Sequence, residues 1–273
     1  MALLHISLVK LARRPASWIV LAVLLGLVAL VFIGLAASAS QITDPQDSLQ
    51  VSLILAFPNA YLVLVGIMLS FGGLLAVVYG SAISGAEWTN GTIRAVVARG
   101  ESRVRYPLMT FAAIAIAIAV AVVITFVVGA LVAVAAAGMA DRPTDTAFET
   151  DTLLSIPDLL ARSWLGVTEQ AAIGFAIAML FRSQLAGIGA GLAFYFGQIF
   201  LALIPPLTDV LPYFPLNVAT AVVGDADGFG DGGGFGGGQT TIDGEQAVVL
   251  AIVYTLIALG IAVLATWRAQ ITQ

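Results

Sequence analysis

Cysteine is absent from the 273 residues, and histidine occurs once, at His5. That excludes a disulfide framework and any thiolate or multi-histidine metal site built within the chain. Charge is scarce: Asp, Glu, Lys and Arg make up 10% of the sequence, against about 25% in soluble domains. A formal net charge of −5 offers no basic footprint for nucleic acid. No G-x-x-x-x-G-K-[ST] run occurs, so the chain has no phosphate loop and cannot itself be the ATPase of an ATP-driven system. Paired aspartates, a Ser with His, or a His/Glu metal motif within apolar segments, as intramembrane proteolysis would need, are missing too. Nor is an internal repeat evident, which withholds direct support from an inverted-repeat secondary transporter.

What the chain has instead is apolar length. Hydrophobic residues make up 60% and the mean hydropathy is +1.04, which is the composition of a polytopic helical membrane protein. The expected fold is an all-α membrane protein, a single transmembrane domain over 1–273 with six transmembrane helices at about 17–37, 55–84, 107–138, 161–181, 185–204 and 246–266. Ahead of them, residues 1–16 alternate Leu3, Leu4, Ile6, Leu8, Val9 and Leu11 with His5, Lys10, Arg13 and Arg14, an N-terminal amphipathic elbow helix whose basic end suits anionic headgroups. Ala37-Ser38-Ala39 resembles a signal-peptidase site. The apolar run before it exceeds the usual ~7–15-residue signal core, so an uncleaved helix is expected. Gly72, Ala76 and Gly80 form a small-residue stripe, and Gly187 and Gly191 a G-x-x-x-G pair; both predict close helix packing within the chain. Pro107 to Ala140 carries only one charge-free run of ~50 Å, too short for two spans and a turn, hence one long helix. Asp141 to Asp158 is expected to be an acidic loop, and Arg182-Ser183-Gln184 a tight turn. Residues 207–245 form a long loop, with an aromatic, proline-rich start at Leu211–Leu216 suited to the interface or a re-entrant turn. Its Gly/Asp-rich run, Gly224 to Gly238, only partly mimics a calcium loop: Phe229 stands where an oxygen ligand is wanted and no Glu closes it at Gly236.

Between the second and third spans lies a polar, arginine-bearing stretch, 87–105. Thr92 suits a helix N-cap and Gly100 a C′ position, so Ile93 to Arg99 predicts about two helical turns. Ile93, Val96 and Val97 then share one apolar face. By periodicity, such a helix lies on lipid headgroups or docks into a partner. The pattern Glu87…Gly91-Thr92…Arg99…Ser102-Arg103 resembles the E-x-x-x-G-T…R-x-x-S-R signature of the type-2 family of ABC export permeases. The resemblance implies that this stretch is a cytoplasmic coupling helix seated on a separate ABC ATPase subunit, present in two copies. It further implies a second permease copy or a related permease, ATP and Mg bound by the partner and no cofactor in this chain. That family usually has Pro where Gly100 stands and an apolar residue where Glu101 stands; both departures follow the helix and bear on its exit angle.

Basic residues set the expected orientation. Lys10, Arg13, Arg14, Arg94, Arg99, Arg103, Arg105, Arg182 and Arg268 share one side of a six-span layout, leaving Arg142 and Arg162 on the other. The positive-inside rule puts both termini in the cytoplasm and the chain in the plasma (inner) membrane, with 207–245 outside. Glu169 is the one acid well inside a span, ~20 Å up a ~30 Å core, with Tyr195, Gln198 and Tyr254 at similar height and Arg162 near the outer edge. An acid at that depth needs protein or water around it. Two readings stay open: a protonated Glu169 tied to Tyr195, Gln198 or Tyr254, or a polar belt lining a translocation path. The reading reached is a membrane permease subunit of an ATP-driven exporter, not an enzyme in its own right. The alternatives are a stand-alone secondary transporter or channel using Glu169, or a non-transporting membrane scaffold.

Overall fold

A computed structural model describes residues 2–39, 51–201, 203–204, 207, 209–224 and 242–268. The loop expected at 38–50 and the Gly/Asp-rich run lie largely outside these residues. The described residues are helical throughout: α1 (Ala2–Arg13), α2 (Pro15–Ala39), α3 (Asn59–Thr89), α4 (Thr92–Ala98), α5 (Arg105–Met139), α6 (Thr150–Phe181), α7 (Gln184–Leu201), α8 (Pro215–Ala221) and α9 (Gly244–Trp267), with short 3-10 turns at Asp145–Phe148 and Leu211–Tyr213. Six of them, α2, α3, α5, α6, α7 and α9, are long and apolar enough to cross a membrane. Their backbone polar groups are satisfied within each helix, as a bilayer demands.

Burial sorts the six into layers. Within their apolar windows α3 and α6 are 67% and 72% buried, α5 is 44% buried, and α2, α7 and α9 only 22%. The inner pair therefore forms the axis, and the outer helices turn apolar faces away from the protein, with Ile19, Leu30, Phe200, Val249 and Leu256 exposed. Lipid tails are as apolar as leucine, so burying oil against oil gives no drive for association there; close packing and hydrogen bonds must hold the inner pair. The seam shows both. A Cβ on Gly80 would stand 2.3 Å from the Ala171 carbonyl oxygen, and one on Gly174 would stand 2.2 Å from that of Val77. At the same crossing Ser81 Oγ donates to the Gly174 carbonyl at 2.9 Å and Ser84 Oγ lies 3.1 Å from that of Phe175. The small-residue stripe is thus spent inside the chain, as is the G-x-x-x-G pair: Gly187 abuts Ala178 and Gly191 abuts Val77 and Ser81.

Several expected boundaries move, each for a local reason. The second span runs Asn59–Thr89 rather than 55–84, because the chain turns at Ala56 to Pro58, with Pro58 at the cap position, and the helix continues to the turn at Asn90-Gly91. Glu87 consequently belongs to α3, not to a loop. The acidic loop expected over Asp141 to Asp158 ends early. From Thr150 the chain is helical, with Asp151 in the first turn where the helix dipole favours an acid, and Pro157 on an exposed face. The turn at Arg182 is tight as expected, with Arg182 at φ +52°. At the start of the chain, Pro15 opens α2 with a φ already suited to a first helical residue. The freed carbonyls at the end of α1 are taken by α2 side chains, Ser17 Oγ to Leu11 O at 2.8 Å and Trp18 Nε1 to Ala12 O at 2.9 Å.

Gly174→Val is expected to destabilise the fold by about 1–3 kcal/mol or more, since its side chain would meet backbone that cannot retreat. Thermal unfolding in detergent checks this, with Gly189→Ala, whose Cβ would meet nothing within 4 Å, as the substitution that leaves the melting temperature unchanged.

Candidate functional site

Glu87 lies one turn from the end of α3, and its side chain is only 1% exposed. Apolar surroundings would make a lone carboxylate there costly, and three residues from other elements converge on it. Lys10 Nζ reaches Oε1 at 2.5 Å, Arg14 Nη2 lies 3.6 Å from the same oxygen, and Tyr106 Oη donates to Oε2 at 2.6 Å. Lys10 stands in the last turn of α1 and Arg14 is the residue that joins α1 to α2, so both come to the same acid from the elbow. The carboxylate thus knots α1, the α1–α2 elbow, α3 and the start of α5 at a single point. Immediately beyond it, Trp88 Nε1 points to Met179 Sδ at 3.0 Å and the Arg182 guanidinium lies 5.4 Å from the centre of the Trp88 ring. The Gln184 amide N–H donates to Thr89 Oγ1 at 3.3 Å, so the α6–α7 turn is fastened to the same end of α3.

From this end hangs α4. Gly91 takes φ +66° as its cap residue, and Thr92 is the first helical residue rather than the cap, with no side-chain bond closing the turn. At the other end the expected role of Gly100 holds. At φ +89° it donates to the Val97 carbonyl at 3.0 Å, while Glu101 donates to that of Val96 at 3.3 Å, the paired closure of a Schellman motif. Arg99 caps the helix, its Nε bonded to the Ala95 carbonyl at 3.1 Å. Ser102 Oγ then accepts the amides of Val104 and Arg105, each at 3.3 Å, and starts α5; Arg103 beside it is half-buried.

Of the face formed by Ile93, Val96 and Val97, Ile93 is closed off by the protein itself, while part of the valine surface stays open. Ile93 is 1% exposed, and Val96 and Val97 are half-buried, with Val97 packed against the core. The surface that α4 presents is Arg94, Ala95, Ala98 and Arg99.

The second group of expected residues does not gather around Glu169. Glu169 is fully buried, and neither carboxylate oxygen has a hydrogen-bond partner. Tyr195 Oη donates to the Ser70 carbonyl at 2.7 Å, and Tyr254 Oη to that of Tyr213 at 2.6 Å. Gln198 Oε1 accepts the Leu216 amide at 2.9 Å. The expected tie from Glu169 to Tyr195, Gln198 or Tyr254 is therefore absent, because each of these partners is engaged by backbone. Gln170, which the sequence reading passed over, joins them by donating Nε2 to the Pro215 carbonyl at 2.9 Å. Together Gln170, Gln198 and Tyr254 sew the segment from Tyr213 to Leu216 onto α6, α7 and α9. The short α8 that follows is buried against α6, where a Cβ on Gly166 would stand 2.5 Å from the Ala219 carbonyl oxygen. Arg162 does not reach Glu169; it pairs with Asp158 at 2.8 Å and donates to the Val222 carbonyl at 3.3 Å.

Between α2, α3 and α5 runs an apolar cleft. Met68, Gly72 and Ala76 form its floor, and Val20, Leu21 and Ala121 its half-exposed lips. Its polar end is the pair Ser17 Oγ and Tyr79 Oη, 2.8 Å apart, on the same side of the bundle as the Glu87 knot. No cluster of metal-ligating side chains occurs among the described residues.

Glu87→Gln removes the charge that both cations answer and is expected to loosen α1 by on the order of 1–3 kcal/mol. This is below the figure for a fully buried pair, because Lys10 is 37% exposed. Since the chain has no cysteine, Leu11→Cys gives a single reporter at a position only 4% exposed. Maleimide labelling of that thiol is expected to rise when Glu87→Gln is added.

Comparison with curated proteins gives no match. The model of the family described as proteins of unknown function, DUF2705, matches residues 39–268, which is most of the chain, and the chain belongs to that family.

Proposed function

We propose that the chain is the membrane permease subunit of an ATP-binding-cassette exporter, coupled through α4 to a separate ATPase. The observation that carries this reading is α4 itself. It is a two-turn, arginine-bearing helix closed at both ends by glycine backbone geometry, anchored by the buried Ile93, and presenting Arg94, Ala95, Ala98 and Arg99 outward. A lipid-lying helix would turn its apolar face to the bilayer; here Ile93 and Val97 of that face pack on the protein, which favours a partner for the exposed side. Its basic character calls for an acidic rim on the ATPase.

In this proposal α1 is the interfacial elbow helix, and Glu87 fixes the coupling helix relative to α1 and α5, so that a push on α4 is passed to three elements at once. Two permeases, identical or related, stand over two ATPase copies, related by a two-fold axis along the membrane normal. The basic residues at the α4 end put that end, and both termini, in the cytoplasm of a cell whose plasma (inner) membrane holds the complex. ATP and Mg belong to the partner, and the chain needs no cofactor.

The buried, unpartnered Glu169 favours one second reading, a stand-alone carrier or channel that uses it as a proton or ion site. Glu169→Gln distinguishes the two because it keeps shape and removes the ionisable group. Under the exporter reading, transport and its pH dependence survive the change; a loss of pH-dependent flux would favour the carrier instead.

The exporter reading predicts that the tagged permease pulls down an ABC ATPase in equal number. Arg94→Glu with Arg99→Glu is expected to cut that recovery about tenfold or more while membrane insertion and the detergent melting temperature stay unchanged. Recovery of the permease alone from native membranes, active and without any ATPase, would sink it.

A further inference from the structure

The cleft between α2, α3 and α5 has a chemistry divided along its length. From Met68 to Tyr79 its floor on α3 covers eleven residue steps, about 16 Å of helix, and of the α3 residues that line it, Met68, Gly72, Leu75, Ala76 and Tyr79, only the last is polar. Such a lining offers a water nothing to bond to. The lips are half-exposed side chains of α2 and α5 whose neighbours on the outer faces, Ile19, Val23, Ile116 and Val120, point away from the protein. The cleft therefore opens sideways, toward the hydrocarbon, and a lipid chain lies next to it by default.

Its polar end differs. Beside the Ser17–Tyr79 hydroxyl pair stands Arg14, within electrostatic reach of the Tyr79 hydroxyl and with its side chain 23% exposed. Lys10 and Arg14 bring two cations to this corner, and Glu87 answers with one carboxylate. Arg14 is held by it only at 3.6 Å, too long for a strong hydrogen bond, so most of the guanidinium fork is left to offer. An excess of positive charge at headgroup level above a dry groove matches one amphiphile: negative at one end, a hydrocarbon chain at the other.

We propose that this cleft is a binding site for an anionic phospholipid of the bilayer, one acyl chain lying along α3 and the phosphate held by Arg14 with the Ser17–Tyr79 hydroxyls. The lipid would fill the gap that separates α2 from α3 and would brace the α1–α2 elbow against the bundle. This site is independent of the exporter reading, since it uses neither α4 nor a partner subunit.

The test uses the full chain in nanodiscs of phosphatidylcholine doped with spin-labelled phosphatidylglycerol or spin-labelled phosphatidylcholine, reading the motionally restricted fraction. Phosphatidylglycerol should be favoured about fivefold, the contribution of one interfacial cation. Arg14→Gln should abolish the preference and Arg14→Lys should keep most of it. Ala121→Phe, or Ala117→Phe on the same lip, should abolish the restricted fraction by filling the cleft, whereas Leu30→Phe on the lipid face should not. Inorganic phosphate at millimolar concentration should leave the preference in place, because the chain supplies much of the binding; displacement by phosphate would mark a simple anion site and overturn the proposal. Equal restriction of the two lipids, a preference that survives Arg14→Gln, or a restricted fraction indifferent to both cleft-filling variants would overturn it as well.

Discussion

The approach of α3 to α6 at Gly80 and Gly174 is the constraint on which the rest of the molecule depends. In a bilayer the outer helices gain nothing by covering apolar surface, so the fold must be nucleated where two backbones come within reach of each other's carbonyls. Both glycines sit against a carbonyl of the facing helix, and Ser81 and Ser84 convert that proximity into cross-helix hydrogen bonds. Once α3 and α6 are fixed, positions elsewhere follow. Gly187 and Gly191 seat α7 in the groove between them, Gly166 admits α8, and Gly129 brings α5 against Leu64. Each of these contacts presupposes the first.

The seam also sets the end of α3, and with it the Glu87 knot. Between the last of the seam serines, Ser84, and Glu87 there is less than one helical turn, so the carboxylate inherits the rigidity of the inner pair. A buried acid answered by Lys10, Arg14 and Tyr106 is weak evidence of stability in itself, because desolvating the charges offsets much of their attraction. Its value lies in geometry: only one arrangement of α1, α3 and α5 satisfies all four groups. In the exporter proposed above, where α4 would transmit displacement, this matters more than the net free energy: a loosely held α4 would absorb motion, whereas one rooted beside a four-way knot would pass it on.

How much of this was legible in the sequence varies with the kind of physics involved. Apolar runs announce spans because the bilayer reads them by the same criterion, and all six appear near their expected places. The closure of α4 at Gly100 was legible too, because a left-handed residue is a local demand that glycine meets at little cost. Direction was not. Ile93, Val96 and Val97 declare an apolar face by spacing, but spacing does not say how that face is divided between the chain's own core and its surroundings; the core took Ile93 and left the two valines half-exposed. Glu87 was singled out as part of a motif, yet its partners Lys10 and Tyr106 lie far along the chain and carry no signal beyond a basic helix end and a tyrosine after Arg105. Glu169 shows the opposite failure: nearby polar residues were counted at the right height, but Tyr195, Gln198 and Tyr254 had backbone carbonyls and amides closer to hand. The helical start at Thr150 was hidden because acids and a proline suggest loop, while beyond the hydrocarbon a helix needs no apolar surface at all.

Along the inner helices, Tyr195, Gln170 and Gln198 grip Ser70, Pro215 and Leu216 and hold the start of α8 in the bundle. Opening a route through this core would require unmaking several buried hydrogen bonds to backbone, each leaving a group unpaired in a medium without water, at about 1–3 kcal/mol apiece. A conducting pore within a single copy is therefore energetically disfavoured by the same contacts that stabilise the fold. A route between two copies meets no such cost, because the faces that would line it are helix surfaces already complete in their own hydrogen bonding. If the chain exports a substrate, the path belongs at a boundary between permeases. The α3–α6 seam then serves as the rigid wall against which that boundary opens and closes, and α4 moves it from below.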